Sequence, residues 1–375
     1  MRTNKLAVAE PLKNLYNEAF FNTLTQACKK VIPQFDSSLF AKSIYDSEWE
    51  NKELKERLRH ITITLKEQMP DDYSECISLV IDLIPALKDY GAPSDTFEYT
   101  FLPDFIQLFG TDDHEISIHA MEKITRFVTC EFAIRPFLIQ YPDLMRKQML
   151  IWSTHKHPAV RRLSSEGYRP RLPWAMGVPS LKKDPSPILP ILENLKTDPS
   201  ESVRRSVANN LNDISKDHPE LVIEIAKRWK GTSKETDRLV KHACRTLLKQ
   251  GNRKVMSLFG YGSTDDISVT GFEILTPKVT IGDSLEFNFE LKNLSSATQK
   301  VRVEYGIYYL RANGSHSKKV FKISEKEYSS ESSSHVNRSQ SFRPITTKVF
   351  YPGKHILSII LNGIEIDKKE FELVA

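Results

Sequence analysis

Three acids in this chain sit where an acid is costly. Glu131 lies within FVTCEFAIRPF, between Cys130 and Phe132. Glu166 follows Arg162 by four residues, on the same face of a predicted helix. Asp213 precedes Ile214 at the end of an apolar-periodic helix. A carboxylate among apolar side chains has to be paired or functional. The structural alternatives are a Glu166 pair with Arg162 or Arg169, a solvent-facing helix-end Glu131 and an exposed helical Asp213. Around the acids run arginines and one unusual tryptophan. The stretch His157 to Trp174, HPAVRRLSSEGYRPRLPW, ends in a loop that holds Arg169, Arg171 and Trp174. Pro170 and Pro173 keep that loop out of a regular helix. An indole on a stiff loop beside arginines can stack on a sugar or a base; the alternative is a core-capping Trp. Trp152 and Trp229 fit helix faces and read as core.

The elements that must hold these residues recur. Val160 and Val203 occupy equivalent places in AVRRLSSEG and SVRRSVANN, 43 residues apart, and LVKHACRTLLK from Leu239 follows after 36 more. A period near 40 built from paired helices marks HEAT-like arrays. Such an array repeats one helix face along a concave surface, and arginines on it, Arg162, Arg204 and Arg205 among them, would cradle a phosphate backbone.

Helical periodicity runs from residue 14 to 258. The predicted helices cover Asn14 to Val31, Leu54 to Gln68, Cys76 to Tyr90, Phe101 to Phe109, His114 to Phe132, Ile134 to Ile139 and Pro142 to Thr154. They continue with Pro158 to Gly167, Pro187 to Leu195, Ser200 to Lys216, Pro219 to Trp229 and Thr236 to Gln250. From Ile267 the pattern changes to period two. Leu285, Phe287, Phe289 and Leu291 alternate with Glu286, Asn288 and Glu290, and Asn313-Gly314 and Asn362-Gly363 are hairpin signals. The expectation is an all-α HEAT-like repeat solenoid over 1–258, a linker over 259–265 and an all-β immunoglobulin-like sandwich over 266–375. The serine-rich stretch 324–340 reads as a flexible loop.

Composition narrows the function. The net charge of +5 hides an asymmetry: residues 1–145 carry 15 Lys+Arg against 23 Asp+Glu, 146–254 carry 23 against 11, and 255–375 carry 15 against 14. A basic middle segment points either to a polyanion partner or to a solvated helical surface. The four scattered cysteines show no metal spacing and read as reduced thiols. The first residues hold no apolar run long enough for a secretory signal, and no run of 18 apolar residues is present. A cytoplasmic, nucleoid-associated protein is the expectation. No hydrolase triad, phosphate-binding glycine loop or zinc signature is present; His155 and His157, flanking Lys156, read as helix-end histidines. No metal and no cofactor are expected.

FVTCEFAIRPFL, HPAVRRLSSEGYRPRLPWA and DPSESVRRSVANNLNDISKDHPE resemble the HEAT-like-repeat DNA alkylation repair glycosylases, in the AlkC branch of the AlkC/AlkD superfamily. The similarity spans most of 112–230, and the RPRLPW loop sets it apart from generic HEAT repeats. The terminal sandwich resembles the immunoglobulin-like appendage of part of that branch. The resemblance implies a 3-methyladenine-type DNA glycosylase that removes cationic alkylated bases, 3-methyladenine or 3-methylcytosine, without flipping the base. It implies that Glu131 and Glu166 line the lesion site, that Trp174 contacts the damaged nucleotide and that Asp213 is a further catalytic acid, the weaker transfer because acids are common in such repeats. Arg162 and Arg169 would grip nearby phosphates, and Arg171, Arg204 and Arg205 would extend the track. The implied partner is double-stranded DNA with alkylated bases, met by a monomer with no obligate protein partner and no membrane. A repeat scaffold for protein or RNA, or an architectural DNA-binding protein, would explain the repeats and the basic face. The scaffold reading gives no reason for acids beside RPRLPW, and salt-sensitive DNA binding without base release would support the architectural one.

Overall fold

The computed structural model describes residues 10–344 and 348–375. The helical part behaves as its local sequence directs. Asn17 accepts from the Phe20 amide at 3.1 Å and so starts Glu18–Val31. Asp36 caps Ser37–Ile44, a helix that the periodicity reading passed over. Glu56 reaches back to the Glu53 amide at 2.7 Å and opens Leu54–Lys66. Asp72 caps Tyr73–Asp89, three residues ahead of the expected start. Phe101–Phe109, Pro142–Trp152, Pro158–Glu166, Glu201–Ile214 and Pro219–Trp229 follow close to the expected positions, three of them opened by proline at the first helical turn.

Two of the expected helices are cut by turns. His114–Ile124 stops eight residues before Phe132, and the chain passes through turns until Ile134–Gln140 begins. Phe127, Val128 and Cys130 are buried on that irregular stretch. An apolar run looks helical in sequence even when tertiary packing holds it in turns. The consequence matters, because Glu131 sits on this turn segment rather than on a helix face. The second case is Thr236 to Gln250, which is broken at Cys244 into Lys234–Ala243 and Arg245–Lys249.

The repeat relation has a packing basis. Val160 and Val203 are both fully buried, and helix Pro158–Glu166 packs on helix Glu201–Ile214. Asn210 Nδ2 donates to the Ser165 carbonyl at 2.8 Å between them. Gly167, which follows the first of these helices, lets Ile134–Gln140 approach: an added Cβ would meet Ile134 Cγ2 and the Leu163 carbonyl at 2.9 Å.

The chain forms two compact units. One runs to Asp217 and includes Ser233–Leu239; the other comprises His218–Thr232 and Val240–Ala375. Among the described residues of the second unit eight strands make the sandwich: β1 Ile267–Ile274, β2 Lys278–Thr280, β3 Ser284–Asn293, β4 Gln299–Leu310, β5 His316–Tyr328, β6 Ser333–Ser341, β7 Gly353–Leu361 and β8 Ile364–Val374. One sheet has the order β1-β3-β6, the other β2-β8-β7-β4-β5, with β2 parallel to β8. Leu285, Phe287, Phe289 and Leu291 all face the core, as their alternation predicts, among Val303, Ile307, Leu357 and Ile359. The serine-rich stretch is not a flexible loop. It supplies the end of β5 and most of β6, which pairs with β3 from Ser284↔Ser341 to Lys292↔Ser333. An edge strand needs no apolar stripe on its open face, so its serines report exposure, not loss of order.

Asn362 and Gly363, at φ 45° and 79°, form the two-residue turn between β7 and β8. Gly363 lies against Gly251, so that a Cβ on Gly363 would meet the Gly251 Cα at 2.2 Å. Gly363→Ala combines this overlap with a left-handed backbone and is expected to destabilise the second unit by about 2 kcal/mol or more. A lowered urea midpoint followed by a probe in the sandwich checks this; an unchanged midpoint refutes it.

Candidate active site

Chain-distant segments meet around one cavity of about 340 Å³, lined among others by Phe97, Glu131, Phe132, Glu166, Arg169 and Trp174. Glu131 comes from the turn before Ile134–Gln140, Glu166 from the last turn of Pro158–Glu166, and Trp174 from the loop that follows. Phe97 opens the short 3-10 turn Phe97–Thr100.

Glu131 is fixed from two sides. Thr129 Oγ1 donates to its Oε2 at 2.9 Å, and Arg162 reaches the same oxygen at 3.0 Å while donating to Thr129 Oγ1 at 3.2 Å. Glu166 is bound by Arg169 Nη1 at 2.6 Å. The same guanidinium holds Asp213 through Nε and Nη2, both at 2.8 Å. Lys216 adds 3.0 Å to the other Asp213 oxygen. Glu166, Arg169 and Asp213 are all buried. Burial works against the Arg169 charge, but Glu166 and Asp213 outweigh it and raise its pKa.

Beneath them lies Arg135, fully buried. Its Nε donates to the Met176 carbonyl at 2.9 Å, and its Nη1 to the carbonyls of Gly167 and Arg169 at 2.8 and 2.6 Å. One guanidinium thereby ties both ends of the RPRLPW loop to helix Ile134–Gln140. Burial and the neighbouring Arg169 pull its pKa down to about 10, against Asp213, so it keeps its charge at neutral pH.

Trp174 does not cap the core. It is 60 % exposed, its backbone is left-handed at φ 64°, and its ring meets Phe97 edge to face at 6.0 Å. Lys55 Nζ donates to its carbonyl. The turn chemistry around it is thus over-determined from outside the loop.

The structure brings Glu131, Glu166, Arg169 and Trp174 together on the cavity and sets Asp213 behind Arg169. Asp213 is 1 % exposed, so it is neither a solvated helical acid nor a cavity wall. Arg169 is spent between two carboxylates inside the protein. Arg171 is paired with Asp217 at 2.6 Å, and Arg204 donates to the carbonyls of Asp198 and Pro199. Arg171 and Arg204 do not line the cavity, nor does the exposed Arg205. Among the described residues no group of three or more His, Cys, Asp or Glu is placed to hold a metal, and no helix is long and apolar enough to cross a membrane.

A family model described as DNA alkylation repair enzyme matches residues 42–247, more than half of the chain. The chain belongs to the DNA alkylation repair enzyme family. A second model, the C-terminal Ig-like domain of the uncharacterised protein YhaZ, matches 268–375. YhaZ of Bacillus subtilis (strain 168) is 42 % identical over 362 residues, which is 96 % of this chain and 99 % of that protein. The alkylpurine DNA glycosylase AlkC of Pseudomonas fluorescens, solved on DNA containing an abasic-site analogue, superposes with a TM-score of 0.91 at 33 % identity, over 98 % of this chain and all of that one. The AlkC-like fold, a helical region followed by an immunoglobulin-like domain, is therefore shared by this chain.

Sequence reasoning passed over Arg135, Thr129 and Phe97. Arg135 carried a signal, since an arginine in FAIRPF raises the same burial question as Glu131 four residues earlier. Phe97 carried none, because only folding brings it to Trp174. Removing the central guanidinium strands two buried carboxylates. Arg169→Met is expected to cost about 3–5 kcal/mol of stability, as for other broken buried pairs; a denaturant titration with an unshifted midpoint would contradict it.

Proposed function

We propose that this chain is a DNA glycosylase that hydrolyses the N-glycosidic bond of cationic alkylated bases, 3-methyladenine or 3-methylcytosine, in duplex DNA. The observation that carries the reading is the convergence of Glu131, Glu166 and Trp174 on one cavity, each held by groups outside the reacting space. Membership of an alkylation repair family and the likeness to AlkC support it.

The chemistry explains why carboxylates suffice. An N3-alkylated base already bears positive charge. When the bond to C1′ breaks, the electron pair goes to the base, which leaves neutral and needs no acid. Positive charge then builds on the sugar, and two negative groups fixed beforehand stabilise it without reorganising. Water adds to C1′, and its proton passes to a carboxylate and on to solvent. Arg162 and Arg169 keep Glu131 and Glu166 in place, and Asp213 keeps Arg169 in place. Trp174 offers a π face to the cationic nucleotide, worth about 1 kcal/mol or more when water is excluded. We read the base as staying within the duplex, because Trp174 projects outward rather than closing a slot. The role of the protein is then to present the sugar to the acids.

The test is release of free base from duplex DNA containing 3-methyladenine. Glu166→Gln is expected to lower the single-turnover rate by roughly 10²–10³-fold, about 3–4 kcal/mol of barrier, with Glu131→Gln behaving similarly. Tight DNA binding by the parent protein with no base release would leave an architectural DNA-binding protein in place of an enzyme. A lesion complex with the base held in a protein pocket would overturn the unflipped reading.

A further inference from the structure

A second cavity, of about 190 Å³, lies on the other side of the same aromatic wall. It shares Phe97, Phe132 and Trp174 with the first and is otherwise bounded by Lys55, Arg59, Asp104 and Gln107 among others. Across one indole the charge of the site changes sign. The first cavity carries Asp95, Glu131 and Glu166 against Arg169; the second carries Lys55 and Arg59, one helical turn apart on Leu54–Lys66, against Asp104. Residues 1–145 hold 15 basic against 23 acidic side chains, so two cations meet here against the balance of their own segment.

Neither cation is fully used by the fold. Lys55 is exposed; its ammonium meets the Trp174 carbonyl and stands 5.7 Å over the Phe132 ring, and among the described residues no carboxylate pairs with it. Arg59 gives Nη2 to Asp104 Oδ1 at 2.8 Å, and its side chain is still 38 % exposed. Asp104, which also lines this cavity and is bound by Thr62 Oγ1 at 2.9 Å, takes one Arg59 donor and leaves a second basic group, Lys55, without a carboxylate. The arginines that sequence reasoning assigned to phosphate are mostly engaged: Arg162 on Glu131, Arg169 on Glu166 and Asp213, and Arg171 on Asp217.

We infer that the second cavity binds a phosphodiester adjoining the reacting nucleotide, with Lys55 and Arg59 as its contacts. This rests on the glycosylase reading above. A substrate nucleotide is itself of two signs, cationic at the reacting sugar and base and anionic at the flanking phosphate. The site matches both with Trp174 between them. Lys55 then links the two halves, since the group that meets the phosphate also holds the Trp174 carbonyl.

The experiment uses the full-length chain and a duplex with a tetrahydrofuran abasic-site analogue, titrated at several salt concentrations. Lys55→Met keeps the aliphatic stem over Phe132 and removes the charge. It is expected to weaken binding several-fold and, with Arg59→Met, to reduce the slope of log affinity against log salt by about 1, as for one lost phosphate contact. Lys55→Arg should restore the slope. A neutral methylphosphonate at a linkage flanking the analogue should weaken the parent protein, while adding little to the loss already present in Lys55→Met. Because Arg59 also serves Asp104, melting curves accompany it and Lys55→Met decides. If the parent binds and Lys55→Met matches it in affinity, in salt slope and in its response to methylphosphonate, this inference fails alone. If the parent does not bind the duplex at all, the glycosylase reading fails and takes this inference with it.

Discussion

The site depends on a single buried guanidinium. Arg169 lies between Glu166 and Asp213, two acids from equivalent helices of successive repeats, at 2.6 and 2.8 Å. Taking a carboxylate out of water costs several kcal/mol unless a counter-charge with good geometry replaces the solvent. The stack of helices Pro158–Glu166 and Glu201–Ile214 therefore closes only with Arg169 in place. Once it is closed, Glu166 has no freedom to turn away from the cavity. Arg135 completes the device by holding the Arg169 carbonyl together with those of Gly167 and Met176. Stability and placement of the candidate acids are thus one interaction. Any change that frees Glu166 also exposes the cost of burying Asp213.

Much of this was legible because it is local or periodic. The repeat follows from Val160 and Val203, both of which are buried; the sandwich follows from the alternation at 285–291 and the Asn362-Gly363 turn. The acids were legible as acids in apolar settings. What the sequence could not say is which cation meets which acid, since Arg162 and Arg169 were both within reach of Glu166. The fold gives Arg162 to Glu131 and Arg169 to Glu166. It also places Glu131 on a turn, because His114–Ile124 ends early where Phe127, Val128 and Cys130 are buried without helical periodicity. The second wall of the site, Phe97 with Lys55 and Arg59, comes from segments more than 70 residues from Trp174, and no short-range pattern joins them.

The charge balance of a segment is a different quantity from the charge of a face. Residues 146–254 are strongly basic, yet Arg161 is held by Asp198 at 2.6 Å, Arg171 by Asp217, and Arg204 by two backbone carbonyls. Those arginines act first within the fold: Arg161 and Arg171 tie to the segments on either side of Glu201–Ile214, and Arg204 ties down the turn before its own helix. A strut and a phosphate contact make opposite demands, because a guanidinium bound bidentately inside the protein has fewer donors to offer outside. The cations best placed to meet an anion near the cavity stand in the acidic segment instead, where net charge would not direct attention.

At Trp174 backbone and side chain stand in a conflict of preferences. Its backbone is left-handed, which costs about 1–2 kcal/mol for a residue with a Cβ and which glycine would adopt freely. Its side chain is a large apolar ring left 60 % exposed, which contributes little to the core. Backbone and side chain therefore both argue against tryptophan here on grounds of stability. The surroundings nonetheless hold it: Pro170 and Pro173 restrict the loop, Arg135 anchors its two ends, and Lys55 takes the Trp174 carbonyl. Strain that persists under that many restraints is strain the structure is built to keep. What it achieves is to turn the indole away from the core and set it on the wall that the acid-rich cavity of Glu131 and Glu166 shares with the cavity of Lys55, Arg59 and Asp104, a position that glycine, with no ring, could not fill.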